Sequence, residues 1–298
     1  MSLALSAVAF VPGLAIGSFL NVVAARVPEK RSIVSPGSAC MSCGHELSWY
    51  ENIPVVSWLA LRGKCRGCGE RIGWVYPAVE LVTALLIAAC FLAFGWSGTA
   101  FVAAFYCATL VVVSATDLSH RIIPNVVVLP ATAIVLVAGC FLAFGWSGTA
   151  FVASFFCATL VVISATDLSH RIVPNVVVLP AAVFVLVAMT ALHPGPEWLL
   201  GAFGASLFLF LAALAYPKGM GMGDVKLALL LGAMLGRTVP VALMVGMVAA
   251  LVPSFVLLAR HGSAARKMGI PFAPFLALGG VVALFFGDAL LDAYLTLF

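Results

Sequence analysis

Apolar runs long enough to cross a membrane recur along the whole chain, separated by short polar breaks. By hydropathy they lie near 3–25, 77–94, 99–116, 126–144, 149–166, 176–192, 197–216, 224–238, 239–259 and 271–297. A transmembrane helix needs about 20 predominantly apolar residues. The pattern therefore predicts an all-α polytopic membrane protein with about ten transmembrane helices. One polar stretch is long, 26–76. It divides the chain into a first part, 1–76, holding one helix and this segment, and a second part, 77–298, holding the remaining helices.

Composition agrees. The 298 residues are 64% hydrophobic and only 9% charged, against roughly 25% charged in soluble domains, and the mean hydropathy is +1.19. The first apolar run has no basic residues before it, while Arg26, Lys30 and Arg31 follow it. That suits a retained helix with its N-terminus outside. Counting crossings from there makes 26–76, 117–125, 167–175, 217–223 and 260–270 cytoplasmic. Of the 15 Lys and Arg, only Arg237 lies away from these segments or their borders, as the positive-inside rule requires. The bias accounts for the net charge of +4, so no nucleic-acid partner is expected; membrane lipid is.

Residues 90–139 and 140–189 are a tandem duplication that matches at 42 of 50 positions. Such near identity points to a recent event. Each unit adds two crossings, so everything downstream keeps its side, and eight helices would remain without one copy. Two copies fall short of a solenoid.

The polar segment carries Cys40-x-x-Cys43 and, after 21 residues, Cys65-x-x-Cys68. Two such pairs suit a tetrahedral zinc site with four thiolate ligands, each pair on a knuckle whose turn is supplied by Gly44 or by Gly67 and Gly69. The reducing cytoplasm disfavours disulfides. Four thiolates leave no open position for water, which makes the metal structural. Cys90, Cys107, Cys140 and Cys157 lie in apolar runs and are read as packing residues.

Carboxylates mark the cytoplasmic ends of the helices. Each repeat carries Ser-Ala-Thr-Asp-Leu-Ser-His-Arg-Ile-x-Pro-Asn, which places Asp117 and Asp167 at the end of apolar runs. Gly219-Met220-Gly221-Met222-Gly223-Asp224 places a third carboxylate at the start of another. Taken alone, Asp224 reads equally as a helix cap, and Asp117 or Asp167 as a solvated group paired with the Arg four residues on. Ionisable groups near hydrocarbon are nevertheless costly and mark function by default. Two carboxylates at one depth on different helices suit an aspartic-protease dyad sharing one proton. The alternating glycines, Gly221 and Gly223 among them, let another backbone approach.

These residues resemble the type IV prepilin peptidases, intramembrane aspartic peptidases of the GxGD class. The resemblance is carried by Gly17-Ser18-Phe19-Leu20-Asn21-Val22-Val23 with Arg26-Val27-Pro28, by Glu51-Asn52-Ile53-Pro54, by Leu61-Arg62-Gly63-Lys64-Cys65 and by Tyr76-Pro77-Ala78-Val79-Glu80. It implies an endopeptidase of the bacterial cytoplasmic (inner) membrane, serving type IV pilus or type II secretion systems. Its active site would face the cytoplasm and cleave the leader of prepilin-like substrates. It also implies N-methylation of the new N-terminus with S-adenosylmethionine, although no nucleotide-type binding loop is visible. The second catalytic Asp of the family maps to Asp224. The first maps to both Asp117 and Asp167, which is a departure from the family pattern. Asp167 lies 57 residues before Asp224, the spacing left when one repeat is removed, and short connections favour it. Asp117 keeps the usual connection to the cysteine segment.

Two other readings compete. A carboxylate-coupled transporter would carry its carboxylates near mid-membrane, in broken helices. A non-catalytic zinc scaffold of a pilus or secretion assembly would not need Asp224. Glu80 reads as an anion at a helix N-terminus, His45 as a residue for which a tetrahedron filled by four cysteines leaves no place, His120 and His170 as loop surface, and Asp288 and Asp292 as solvated outer ends.

Overall fold

In the computed structural model, residues 2–120, 124–215, 221–261 and 271–296 are described. Gly219, Met220, Arg121 and most of the expected loop 260–270 lie outside them. The elements are α1 (Ser2–Arg26), α2 (Val56–Ala60), α3 (Val75–Phe94), α4 (Gly98–His120), α5 (Asn125–Phe144), α6 (Gly148–His170), α7 (Asn175–Leu192), α8 (Glu197–Ala215), α9 (Met222–Leu235), α10 (Val239–His261) and α11 (Ala273–Leu295). No strand occurs among the described residues. The chain forms two compact units, Met1–Val135 and Leu136–Phe298. The division expected at residue 76 falls inside the first.

In the first unit α1 and α3 pack antiparallel. A Cβ on Gly13 would lie 2.7 Å from the Ala84 Cα, and one on Gly17 2.6 Å from the Glu80 Cα. Small residues four apart thus let the two backbones meet, the usual device where apolar burial supplies no driving force between helices. Asn21 Nδ2 donates to the Tyr76 carbonyl at 3.0 Å at the polar end of this pair. The segment that follows α1 is folded back by Arg26, whose guanidinium donates to the carbonyls of Ser32, Pro36 and Gly37.

In the second unit α9 is central. Ten of its residues, among them Leu227, Leu230 and Leu231, are buried, as befits a helix apolar on all sides. It packs against α7, α8 and α11, and Phe156, Leu160, Ile163, Val178, Val185 and Leu276 complete the core. Residues 222–260 form one of nine stretches long and apolar enough to cross a membrane, yet they make two passes. Gly236 takes φ +52, a conformation easy only for glycine, and the chain reverses there. Leu231 and Thr238 face Gly280 and Gly287 in order, whereas Ala242 and then Gly246 face back along α11 toward Gly279 and Phe275. The described residues therefore hold about ten passes, with 224–238 and 239–259 separate as the hydropathy pattern predicts.

Candidate active site and metal centre

Asp167 ends α6 and Asp224 begins α9. Both are buried, at 6% and 8% exposure, and both line one open cavity of about 490 Å³ in the second unit. They lie within electrostatic reach of each other. Each is held by backbone. The Ala273 amide, an otherwise orphan donor at the start of α11, donates to Asp167 Oδ2 at 3.1 Å. The Asp224 amide donates to the Gly221 carbonyl at 3.1 Å, closing the first turn of α9. The N-termini of α9 and α11 both meet the site, where helix dipoles favour negative charge.

Local sequence explains the entry into this cavity. Arg171 adopts the left-handed conformation (φ 54) and its amide donates to the Asp167 carbonyl, which ends α6. Pro174 then starts α7 by accepting the amides of Val177 and Val178. Between them Val173 presses on α9: a Cβ on Gly223 would lie 2.8 Å from the Val173 Cβ. Gly223 is therefore the glycine that permits close approach. Among the described residues, a Cβ on Gly221 would meet nothing nearer than Asp224 Oδ2 at 3.6 Å. Lys226 Nζ donates to Asn175 Oδ1 at 2.7 Å and ties α9 to α7. Asp117 belongs to the other unit and is exposed, as is His170. Near the far end of the unit, Asp288 pairs with Arg237 at 2.9 Å, both side chains exposed.

The four cysteines of the first unit converge. Their sulfurs all lie within 4.8 Å of one another, with Cys40–Cys68 at 3.9 Å and Cys43–Cys65 at 4.0 Å. A tetrahedron with zinc–sulfur bonds of about 2.3 Å has edges of about 3.8 Å, so the set fits that ion. The knuckles are built alike. The Cys40 amide donates to His45 and the Gly44 amide to Cys40; the Cys65 amide donates to Glu70 and the Gly69 amide to Cys65. Amides of Cys43 and Ser42 lower the Cys40 thiol to about 6. The Glu70 amide pulls the Cys68 thiol down, but the Cys43 thiol, desolvation and two further thiols carry it up to about 12. One thiolate is accommodated and more are opposed, and a divalent cation reverses that opposition.

One reading of the sequence changes here. Glu80 lies within α3 rather than at its start, and its Oε2 accepts the Val55 amide at 2.7 Å, which anchors the polar segment to the helix. His45, left out of the ligand set by the four cysteines, has its Nε2 3.4 Å from Glu51 Oε2. Glu51 entered only through the Glu51-Asn52-Ile53-Pro54 match, and Val173 and the Ala273 amide were not singled out from the sequence. The last is a backbone donor brought in by a distant helix, for which no sequence signal exists.

Residues 11–94 match the bacterial peptidase A24 N-terminal domain, and 154–255 match the type IV leader peptidase family. The second match includes Asp167 and Asp224. A prepilin leader peptidase/N-methyltransferase of Bacillus subtilis is 31% identical over 96% of both chains. The chain belongs to the type IV leader peptidase family. The relative of the same name in Pseudomonas aeruginosa is 31% identical over 95% of this chain and 91% of its own. That of Myxococcus xanthus is 54% identical over 121 residues, 41% of this chain and 36% of that protein. No solved structure matches. Family membership and the apolar helices make the leader-peptidase homologue a multi-pass membrane protein.

Proposed function

We propose that this protein is a membrane aspartic endopeptidase that removes the leader from type IV prepilin-like proteins and then N-methylates the exposed amine. The observation that carries the reading is the pair of buried carboxylates, Asp167 and Asp224, at one cavity on facing helix ends. Like charges so placed share one proton. The ionised carboxylate takes a proton from a water, whose oxygen attacks the scissile carbonyl, while the protonated partner donates to the carbonyl oxygen. Collapse of the tetrahedral diol breaks the C–N bond, and a proton passes to the departing amine. Asp167 is the partner of Asp224 in this reading, with Asp117 as the alternative that the duplication offers.

Cys40, Cys43, Cys65 and Cys68 hold a structural zinc ion that staples the polar segment. S-adenosylmethionine supplies the methyl group when bound. The site faces the cytoplasm of a bacterial inner membrane, supported by the placement of all Lys and Arg but Arg237. Incubating the purified protein with a prepilin and S-adenosylmethionine, followed by mass spectrometry, tests the proposal. Loss of the leader mass and gain of about 14 Da on the new N-terminus (one CH₂, the net change when a methyl replaces a proton) are expected. An uncut substrate contradicts the peptidase reading, and a cut but unmethylated one contradicts the transferase reading alone.

A further inference from the structure

Each repeat carries two cysteines 17 residues apart, one on either side of a Gly-Trp-Ser turn. Cys90 on α3 and Cys107 on α4 bring their sulfurs to 3.9 Å across Gly95-Trp96-Ser97. Cys140 on α5 and Cys157 on α6 bring theirs to 3.7 Å across Gly145-Trp146-Ser147. All four are free thiols. The aromatic contacts of the turns are repeated as well: Trp96 packs on Phe91 and Phe101, and Trp146 on Phe141 and Phe151. One helical hairpin with a thiol pair across it is therefore built twice.

The surroundings of the two pairs differ. Cys140 and Cys157 are both at 0% exposure, inside the core of the second unit. In the first unit Cys90 is at 8% and Cys107 is only half-buried. The cluster around this pair is thin and rich in alanine, with Ala9, Ala100, Ala103 and Ala104. Such small residues let two helices approach closely. Next to Cys157 in the chain stands the fully buried Phe156, where the first copy has the half-exposed Tyr106. Cys107 lies well inside the span 98–120, so its open face meets lipid. Sulfurs at 3.9 Å must close by about 1.9 Å to reach a disulfide bond of about 2.05 Å, a distance that rotation of the two side chains covers.

We propose that Cys90 and Cys107 are a site of disulfide formation, oxidised within the bilayer by a lipid-soluble quinone, while the sealed pair Cys140 and Cys157 stays reduced. Two S–H bonds break and one S–S bond forms. Two electrons and two protons leave the sulfurs for the quinone, which becomes the hydroquinone. The new bond joins α3 to α4. It fastens the helix whose Glu80 holds the Val55 amide of the polar segment. Asp167 and Asp224 lie in the other unit, so the proposal stands apart from the peptidase reading.

The test treats the full-length, zinc-loaded protein with decylubiquinone, whose fully substituted ring does not alkylate thiols. The protein is then denatured in N-ethylmaleimide, digested without reductant and mapped by mass spectrometry. Ala89 against Gly139, and Tyr106 against Phe156, tell the peptides of the two copies apart. A peptide linking Cys90 to Cys107 is expected, lighter by about 2 Da than the two thiol peptides together, with one hydroquinone formed per link. The first pair is expected to oxidise about tenfold or more faster than the second, because thiol oxidation follows access. Alkylated Cys90 and Cys107 after quinone treatment, a link from either to another cysteine, or equal oxidation of the two pairs overturns the proposal. These readouts use the wild type, so they do not depend on a variant that folds. Cys107→Ala is expected to lose most of the hydroquinone formed and Cys157→Ala to keep it; an unchanged yield in Cys107→Ala also overturns the proposal.

Discussion

Replacing Gly223 by alanine adds one carbon where α9 meets the α6–α7 turn. That carbon falls 2.8 Å from the Val173 Cβ and 3.0 Å from its Cγ2. Carbon atoms pack at about 3.5–4.0 Å, so the turn and the helix end must part by about 0.7–1.2 Å. The turn cannot yield freely, because the Arg171 amide is bonded to the Asp167 carbonyl and Pro174 caps α7. Overpacking of this kind costs about 1–3 kcal/mol, which leaves the helices folded. Its larger effect falls on Asp167 and Asp224, which flank the contact. A misplacement of about 1 Å at reacting groups costs on the order of 10²-fold in rate. Gly223→Ala is therefore expected to lose about 10²-fold in kcat/KM for prepilin cleavage at unchanged helix content. Gly221→Ala, whose new carbon makes only ordinary contact, is expected to stay within about threefold, less than 1 kcal/mol at the barrier. Adding Val173→Ala to Gly223→Ala should not rescue, since the Cβ clash remains; adding Val173→Gly should recover part of the rate. Wild-type kcat/KM in Gly223→Ala, or equal damage from both glycine variants, refutes the packing argument.

Other outcomes follow from the first unit. The Cys40→Ser, Cys43→Ser double variant should purify with far less than one zinc per chain and with residues 27–74 open to protease, since a structural zinc contributes about 10 kcal/mol or more to such a segment; stoichiometric zinc in that variant contradicts the four-thiolate site. The Ser48 amide, and after it His45, hold the Glu51 carboxyl below the usual carboxylate range. A lowered folded pKa gives stability that is complete above the unfolded value of about 4.3 and is lost as pH falls through the folded one. Protease resistance of residues 27–74 should thus exceed that of Glu51→Gln at pH 7, and the two should converge as the pH falls through the lowered folded value; a gap that widens on acidification contradicts this assignment. Glu80→Ala removes the acceptor of the Val55 amide, and an orphaned amide costs about 1–3 kcal/mol. Faster digestion near residue 55 is expected, with Glu80→Gln close to wild type.

Much of this architecture was legible because bilayer physics narrows the choices. The ten passes, including the break between 224–238 and 239–259, follow from run lengths. The knuckles follow from cysteine spacing and the positive-φ glycines Gly44 and Gly69. The site was only half legible. Asp224 stands out by its glycines, but nothing local distinguishes Asp117 from Asp167, because their neighbourhoods differ only by Val113 against Ile163 and Ile123 against Val173. What separates them is packing. Where the copies differ, the second places Phe156, Ile163, Ala182 and Met189 in its core at 2% exposure or less, while its counterpart Tyr106 in the first is half exposed. The roles of Glu51 and Glu80 were hidden for a different reason. Each partners a backbone amide whose position depends on the folded polar segment, and helix-end rules assign Glu80 to the wrong partner.

The most direct test of the account is prepilin cleavage by three separate Asp→Asn variants, at Asp117, Asp167 and Asp224, in membranes or detergent. Asp167→Asn and Asp224→Asn should each abolish leader removal, and Asp117→Asn should cleave at the wild-type rate. Full cleavage by Asp167→Asn, or none by Asp117→Asn, would contradict the pairing of Asp167 with Asp224.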